Sequence, residues 1–512
     1  MLPYFRDFAI LENYPKILSV NFSKWDWNYL EMLFYTLDKT SSRWWIILYF
    51  TLWAGLGFYL NLRYILKLTK QTNLWLGSLW TSLYLVNFWT IERVLMGHVN
   101  LLKGHIMILP ILYYGLNGKH WWLKSLLFLW LGMVSPHYLS FLVLVYLFYR
   151  PKQFGRLMLL LIPFLIWQTG RIILDGAILG QINNLQDSVN RYNVLKAMSP
   201  VVFDGQELVL RVLVGAGSWN TLTFSELNSG LNNLGANFWY SNFWANCLLA
   251  LGILGVLASG IKSKKNWIWS GLGIFGLIAT FGQSLEAVKG WNWLIASLPG
   301  MGLYRESGKF YWLVIFSLTI IGIQKKALWV HVLASLVLGL NLLTGFGVLS
   351  QLNFINYPKF DRTISNYCKV NPNLKKGIFL PDNIYIQTGF SNGIFGANHY
   401  SLSSDCPFVT PQNSQVSSNV GVGYLLESPN RQAWTRIIKD LNNNPESCQS
   451  TSWWLAFLDW TREYDFWAWD KSYYQDIDLL STCLISHGQY PEIKDGDMEF
   501  YLNFSRMGSA KL

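Results

Sequence analysis

The stretch Thr90–Pro110, TIERVLMGHVNLLKGHIMILP, lies between two apolar segments and carries Glu92, Arg93, His98, Lys103 and His105. Such groups beside apolar blocks cost free energy unless water, a partner or a ligand solvates them. In the plain reading this is an interfacial helix whose long side chains reach solvent. In the functional reading the same residues are gathered for chemistry. The organisation of the rest of the chain decides between the two.

Working outward, 52% of the 512 residues are hydrophobic and only 13% charged, with 27 Trp and 27 Tyr. An average soluble chain carries roughly a quarter charged residues. The apolar residues come in blocks, and a bilayer crossing takes ~20 of them per helix. The expectation is an α-helical multi-pass membrane protein with about ten crossings. Candidates are 44–66, 74–91, 105–117, 121–134, 137–149, 157–176, 243–261, 267–284, 309–323 and 327–349. Trp and Tyr would form belts at both interfaces.

Charge gives an expected orientation. The turns near 63–73, 117–124, 150–156, 262–265 and 324–326 hold 13 Lys or Arg and no acid, while all 13 acids before residue 351 fall on the other side or at a helix end facing it. Lys and Arg excess marks the cytoplasmic side. The expected location is the cytoplasmic (inner) membrane, with both termini and the focal stretch on its outer face. The net charge of +11 is mostly a fringe that would meet membrane lipid. No basic run with interleaved aromatics suggests a nucleic-acid groove.

Three domains are expected. Residues 1–42 are polar and aromatic, with Asp7, Glu12 and Asp26 among their acids, and read as a partial outer loop or N-terminal tail. MLPYFRDF lacks the basic start and apolar run of a signal peptide, so the chain is expected to start late, after a missing upstream helix. Residues 43–350 form the transmembrane domain, with a long outer loop at 178–241 and a lone His137 beside Pro136. Within it, LPGMGLYRESGKFYWL at 298–313 places Arg305, Glu306 and Lys309 together. Guanidinium and ammonium groups there suit a lipid phosphate. The plain alternative is an Arg–Glu pair with a snorkelling lysine.

Residues 351–512 read as a small exported α/β domain. GIFLP at 377–381 and WWLAFLDW at 453–460 are expected strands. RQAWTRIIKDLNN at 431–443 and KSYYQDIDLLSTC at 471–483 are expected helices. EIKDGDMEFYLNF is an expected hairpin with Asp-Gly at its turn. Cys368, Cys406, Cys448 and Cys483 all lie here, an even number that suggests two disulfides with three pairings. The element order favours 448–483 and hence 368–406. No pair has the spacing of a zinc site, and no metal ligand set is expected.

Walker-type loops, HExxH and a nucleophile elbow are all absent from the sequence. What remains is a set of acids, histidines and cations suited to transfer from a lipid-linked phosphate donor. A carboxylate would act as base for an acceptor hydroxyl, and cations would stabilise the departing phosphate.

MGHVNLLKGHIMILP at 96–110, LPGMGLYRESGKFYWL at 298–313, YPKF…GIFLP at 357–381 and the terminal DGDMEFYLNF together resemble the GT-C superfamily of multi-pass glycosyltransferases. The resemblance is to a large uncharacterised bacterial branch with an exported C-terminal domain. It implies an inverting transfer from a polyprenyl-phosphate-linked sugar to a glycan, lipid or protein acceptor, in cell-envelope glycan biosynthesis. It also implies a catalytic acid in the first outer loop. Asp7 is the nearest candidate, with Asp26 and Glu12 behind it, and the family's own acid would lie upstream of Met1, leaving the chain truncated and inactive. Glu92 stands beside Asp7 and Asp26 as a catalytic candidate from its place on the outer face. Arg93, His98, His105, Arg305 and Lys309 are the expected donor-phosphate ligands. No cofactor motif is present, and a divalent cation at the acids is left open. The alternatives are a transporter or flippase for lipid-linked glycans and a non-catalytic envelope scaffold. Few mid-helix charges and no internal repeat favour the enzyme.

Overall fold

The apolar blocks become helices, but not the ones a simple count of blocks gives. The computed structural model describes residues 2–5, 8–9, 42–95, 99–117, 136–149, 243–281, 307–350, 354–355, 359–380, 385–386, 396–397, 406–408, 429–472 and 475–503, with short pieces between 123 and 215. The chain divides into two compact units, Trp44–Leu352 and a second made of Met1–Arg43 with Asn353–Leu512.

In the first unit, α1 (Ser42–Thr69), α2 (Leu74–Leu85), α3 (Phe88–Leu95), α4 (Val99–Asn117) and α5 (Pro136–Tyr149) come first. They are followed by α6 (Phe243–Ile261), α7 (Trp267–Phe281), α8 (Tyr311–Gly322, entered through a 3-10 turn at Ser307–Phe310) and α9 (Leu328–Ser350). α1 ends at Lys70, whose φ of 58° is left-handed; the Gln71 N–H then reaches back to the Leu66 carbonyl, a helix stop of the αL kind.

The block 74–91 is two helices. Asn87 breaks it: its side-chain oxygen accepts from the Thr90 N–H at 3.0 Å, while the Thr90 hydroxyl accepts from the Asn87 N–H at 3.0 Å. That reciprocal cap satisfies donors a continuous helix would have paired internally. Pro110 sits inside α4 and, lacking an N–H, leaves the Ile106 carbonyl without its helical donor. Asn61 of α1 supplies one at 3.1 Å.

Over the described residues, no helix is long and apolar enough to cross a membrane. The helices α2, α7 and α8 run 12, 15 and 12 residues, short of the ~20 a crossing takes. α1 carries Asn61, Arg63 and Lys67 in its second half. α6 and α9 are longer and reach into stretches whose side chains lie outside the described residues. This finding overturns the expected multi-pass membrane fold, its transmembrane helices, and the location in the cytoplasmic membrane with both termini outside. Tertiary burial supplies the physical reason for part of the apolar sequence. α8 is buried on nearly every face, as befits a helix apolar all round, and it packs chiefly against α7. Elsewhere, Trp244, Leu248, Leu251, Leu328, Trp329 and Leu336 of α6 and α9 remain exposed.

Gly322 closes α8 against α2. A Cβ there would lie 2.1 Å from the Trp80 indole. The indole cannot easily yield, because its Nε1 donates to His331 Nδ1 at 3.2 Å and His331 Nε2 donates to the Lys325 carbonyl at 2.9 Å. Gly322→Ala is therefore expected to cost about 1–3 kcal/mol. A thermal melt checks this, and an unchanged midpoint would show that the contact is slack.

In the second unit, β1 (Leu2–Phe5) pairs antiparallel with β2 (Phe8–Ala9) and with β3 (Phe354–Ile355). The N-terminal residues thus belong with the C-terminal segment by backbone pairing, where the sequence suggested a separate tail. After α10 (Lys359–Val370) come β4 (Gly377–Leu380), the small β5–β6 pair (Tyr385–Ile386, Gly396–Ala397), and α11 (Pro429–Asn443). Next are α12 (Thr451–Thr461), β7 (Phe466–Asp470), α13 (Gln475–Ser486), β8 (Ile493–Asp495) and β9 (Met498–Leu502).

The main sheet has the order β4-β7-β9-β8. β4 and β7 are parallel and the other pairs antiparallel. Both faces are covered, which is why β4, β7 and β9 are buried along their whole length. Trp467, Trp469 and Tyr501 face α11, α12 and α13, whereas Phe379, Phe466 and Phe500 face α10. Continuous apolar strands are what two covered faces require.

The segment 453–460, expected as a strand, is helix α12. Ser450 caps it, accepting from the Trp453 N–H, and Trp453, Phe457 and Trp460 fall on its buried face. The terminal hairpin turns at Gly496–Asp497, with Asp495 paired to Met498 and Gly496 at φ 60°, the glycine-first arrangement of a II′ turn. Disulfides join Cys368 to Cys406 and Cys448 to Cys483, with Cα separations of 5.3 and 5.9 Å. Cys247 is free.

Candidate functional site

The focal stretch folds as the end of α3 and the start of α4, and it meets the turn before α8. The Trp89 Nε1 donates to the Gly308 carbonyl at 2.8 Å. The Arg93 guanidinium, 1% exposed, lies 5.4 Å from the Trp89 ring centroid. Gly308 is where it is for a reason of space: a Cβ there would come within 3.1 Å of an Arg93 terminal nitrogen. Lys309 follows, half-buried. Lys103, 4% exposed, has its ammonium 5.8 Å from the Trp53 ring. Desolvated cations over aromatic faces gain up to about 2 kcal/mol each.

His105 is built into the joint between α2 and α4. Its Nε2 donates to the Tyr84 carbonyl at 3.0 Å, and the Tyr84 hydroxyl donates to the His105 carbonyl at 2.8 Å. The two rings stack at 4.0 Å. Because a carbonyl only accepts, Nε2 carries the proton and Nδ1 is a bare acceptor. Burial lowers the His105 pKa to about 4, against the partial support of the Tyr84 carbonyl. His105 is therefore neutral at pH 7 and adds no positive charge. Burial likewise pushes the Tyr84 and Tyr138 hydroxyls well up, with Arg93 pulling Tyr138 part of the way back, so neither is ionised.

These side chains form one connected cluster. Trp89 lies 5.5 Å from the His105 ring, His105 6.5 Å from Tyr138, and Tyr138 4.7 Å from Trp312. Among the described residues, His105 Nδ1 and Trp312 Nε1 in this cluster, and Ser307 Oγ on the turn beside Gly308, are buried without a hydrogen-bond partner. Most buried polar atoms are paired, so such a concentration asks for a ligand or water.

Phe88 on α3 and Tyr311 on α8 turn to another side. There they line a mostly apolar groove with Trp80, Leu249, Ile253 and Asn341. Among the described residues, Asn341 Oδ1 has no partner in that groove.

Of the residues singled out from the sequence, the structure therefore brings Arg93 to the turn that carries Lys309, with His105 beside the Trp89 ring. The side chain of Glu92 lies outside the described residues, as do Asp7, Asp26, His98 and Arg305. Sequence reading missed Trp89, Tyr84, Tyr138 and Ser307. The aromatic neighbours of a buried arginine carry no spacing signature of their own. No group of His, Cys, Asp or Glu among the described residues could hold a metal ion.

Compared with known proteins, the chain matches no family model, no curated relative and no solved structure.

Proposed function

We propose that the helical unit is a glycosyltransferase site that takes a sugar from a polyprenyl-phosphate-linked donor. The observation that supports it is the Arg93 guanidinium, sunk among Trp89, Gly308 and Tyr138 at the turn bearing Lys309, while Phe88 and Tyr311 of the same helices line an apolar groove on another side. A fixed cation suits a phosphate head, and the groove carried by the same helices suits a hydrocarbon tail. The resemblance of 96–110 and 298–313 to polyprenyl-phosphate-dependent enzymes points to the same donor.

In this reading Arg93 and Lys309 hold the phosphate. Glu92, one residue before Arg93 on α3, takes the proton of an acceptor hydroxyl on a glycan, lipid or protein. The oxygen then bonds to the anomeric carbon as the bond from that carbon to the phosphate oxygen breaks. The polyprenyl phosphate leaves with the electron pair, its charge met by the two cations. The bare Nδ1 of neutral His105 accepts a hydroxyl rather than binding an anion.

The test is binding and transfer with a short-chain donor. Arg93→Ala removes charge-assisted contacts of roughly 1.5–3 kcal/mol, about a ten- to hundred-fold loss of affinity for farnesyl phosphate. Calorimetry with farnesyl phosphate and farnesol separates head from tail, and transfer from a farnesyl-phosphate-linked hexose reads the chemistry. Equal affinity for phosphate and alcohol, or an Arg93→Ala protein that binds as well as the parent, would sink the reading.

A further inference from the structure

In the second unit, α11 and α12 diverge to leave a cleft of about 1040 Å³. That is the upper end of small-molecule pockets, which run about 300–1,000 Å³, and more than one sugar ring or one amino acid would fill. α11 presents Arg436 and Asp440 to it, α12 presents Asp459, Arg462 follows at the α12 C-cap, and Trp453 and Trp460 form part of the lining. Glu463 also lines the cleft, held by the Lys376 ammonium at 2.9 Å; the other four charged residues are exposed. Among the described residues none of their side chains makes an ion pair or hydrogen bond, although each helix places an arginine and an aspartate within reach of one turn. Trp453 is fixed from behind, its Nε1 donating to the Ile437 carbonyl at 3.1 Å.

The chemistry of the walls narrows the occupant. An anionic ligand would meet Asp440 and Asp459, and a cationic one Arg436 and Arg462, while Glu463 is already matched by Lys376, so neither sign is strongly favoured. A nucleic acid, all phosphate along one side, is disfavoured for the same reason. A neutral polyol suffers from neither charge, because every hydroxyl both donates and accepts. Carboxylates can then take its protons, guanidinium groups its oxygens, and the indole edges its apolar C–H face. We propose that this cleft binds a neutral oligosaccharide. That the saccharide is the acceptor of the transfer rests on the proposed function above; the binding does not.

The experiment uses the full chain and needs no lipid donor, so its outcome is independent of the transfer reaction. Saturation-transfer NMR and calorimetry would be run with cellotetraose, maltotetraose, mannotetraose and chitotetraose, and with a Gly-Ser tetrapeptide as comparison. At least one tetrasaccharide is expected to bind saturably and with little dependence on salt. Asp440→Ala and Asp459→Ala should each weaken it about tenfold, the loss of one charged hydrogen bond. Both positions are exposed, so folding is not at issue, and Lys439→Ala on the same helix should leave binding unchanged. Binding of none of the four sugars, preference for the tetrapeptide, or sugar affinity untouched by both aspartate variants would each overturn the proposal.

Discussion

Glu499→Ala is expected to cost the second unit about 3–5 kcal/mol, because it leaves three buried donors unsatisfied at about 1–3 kcal/mol each. Glu499 is fully buried on β9. Its Oε2 accepts from Trp469 Nε1 at 3.1 Å, Ser481 Oγ at 2.6 Å and the Tyr501 hydroxyl at 2.9 Å. Its Oε1 lies 3.3 Å from both the Lys471 and Lys494 ammonium groups. Alanine would strand the three buried donors, whereas Lys494 reaches solvent and Lys471 keeps Asp478 at 3.5 Å. Glu499→Gln keeps the shape and an acceptor, and should cost distinctly less.

The same residue gives the unit a pH dependence. Burial alone would raise its pKa, but the hydrogen bonds from Ser481, Tyr501 and Trp469, with the charge of Lys471, outweigh burial and hold it below the usual range. A depressed carboxyl stabilises the fold fully above its unfolded pKa of about 4.3, and that contribution is lost as pH falls through the lower folded value. Urea midpoints measured from pH 6 downward should fall below about pH 4.3 in the parent and fall less in Glu499→Gln. Parallel curves for the two proteins would remove Glu499 as the cause.

Loss of either disulfide is expected to be of similar size. The bridges close loops with sequence separations of 38 and 35 residues. Chain entropy then gives about 4 kcal/mol for each. Cys368–Cys406 lies in the core on the α10 face of the sheet and Cys448–Cys483 in the core on the other face, so the two losses should add. Paired substitutions Cys368→Ser/Cys406→Ser and Cys448→Ser/Cys483→Ser, followed by denaturant titration, check both statements. Alkylation under denaturing conditions should modify one of the five cysteines, Cys247, before reduction and all five after. Five modified thiols without reductant would show that the bridges do not form.

How much was legible in advance depends on how local each cause is. The helices at 243–261 and 328–350 follow from unbroken apolar runs, and the terminal hairpin follows from Asp495-Gly496 between alternating residues. The short, mostly apolar run 453–460 suits a strand or a helix equally, so local sequence does not separate the two. Its decisive signals were Ser450 as cap and the spacing of Trp453, Phe457 and Trp460. The block 74–91 was counted as one segment because the break at Asn87 depends on two side chains capping each other.

Local sequence is enough for some of the apolar helices, 243–261 and 328–350 among them, for a compositionally distinct α/β segment after residue 350, and for four cysteines that suffice for two bridges. Those are properties of neighbouring residues, and physics acts on them within a turn or a strand. Only the tertiary structure decided that β1 joins β3 across some 350 residues of chain, and that α8 is a buried core helix. It alone decided that no described helix is long and apolar enough to cross a membrane. It alone also set Arg93 against Trp89 and Gly308, left His105 neutral, and gave Glu499 its five partners. Burial and long-range pairing are set by what the rest of the chain places around a residue, and nothing in the residue's own neighbourhood encodes that.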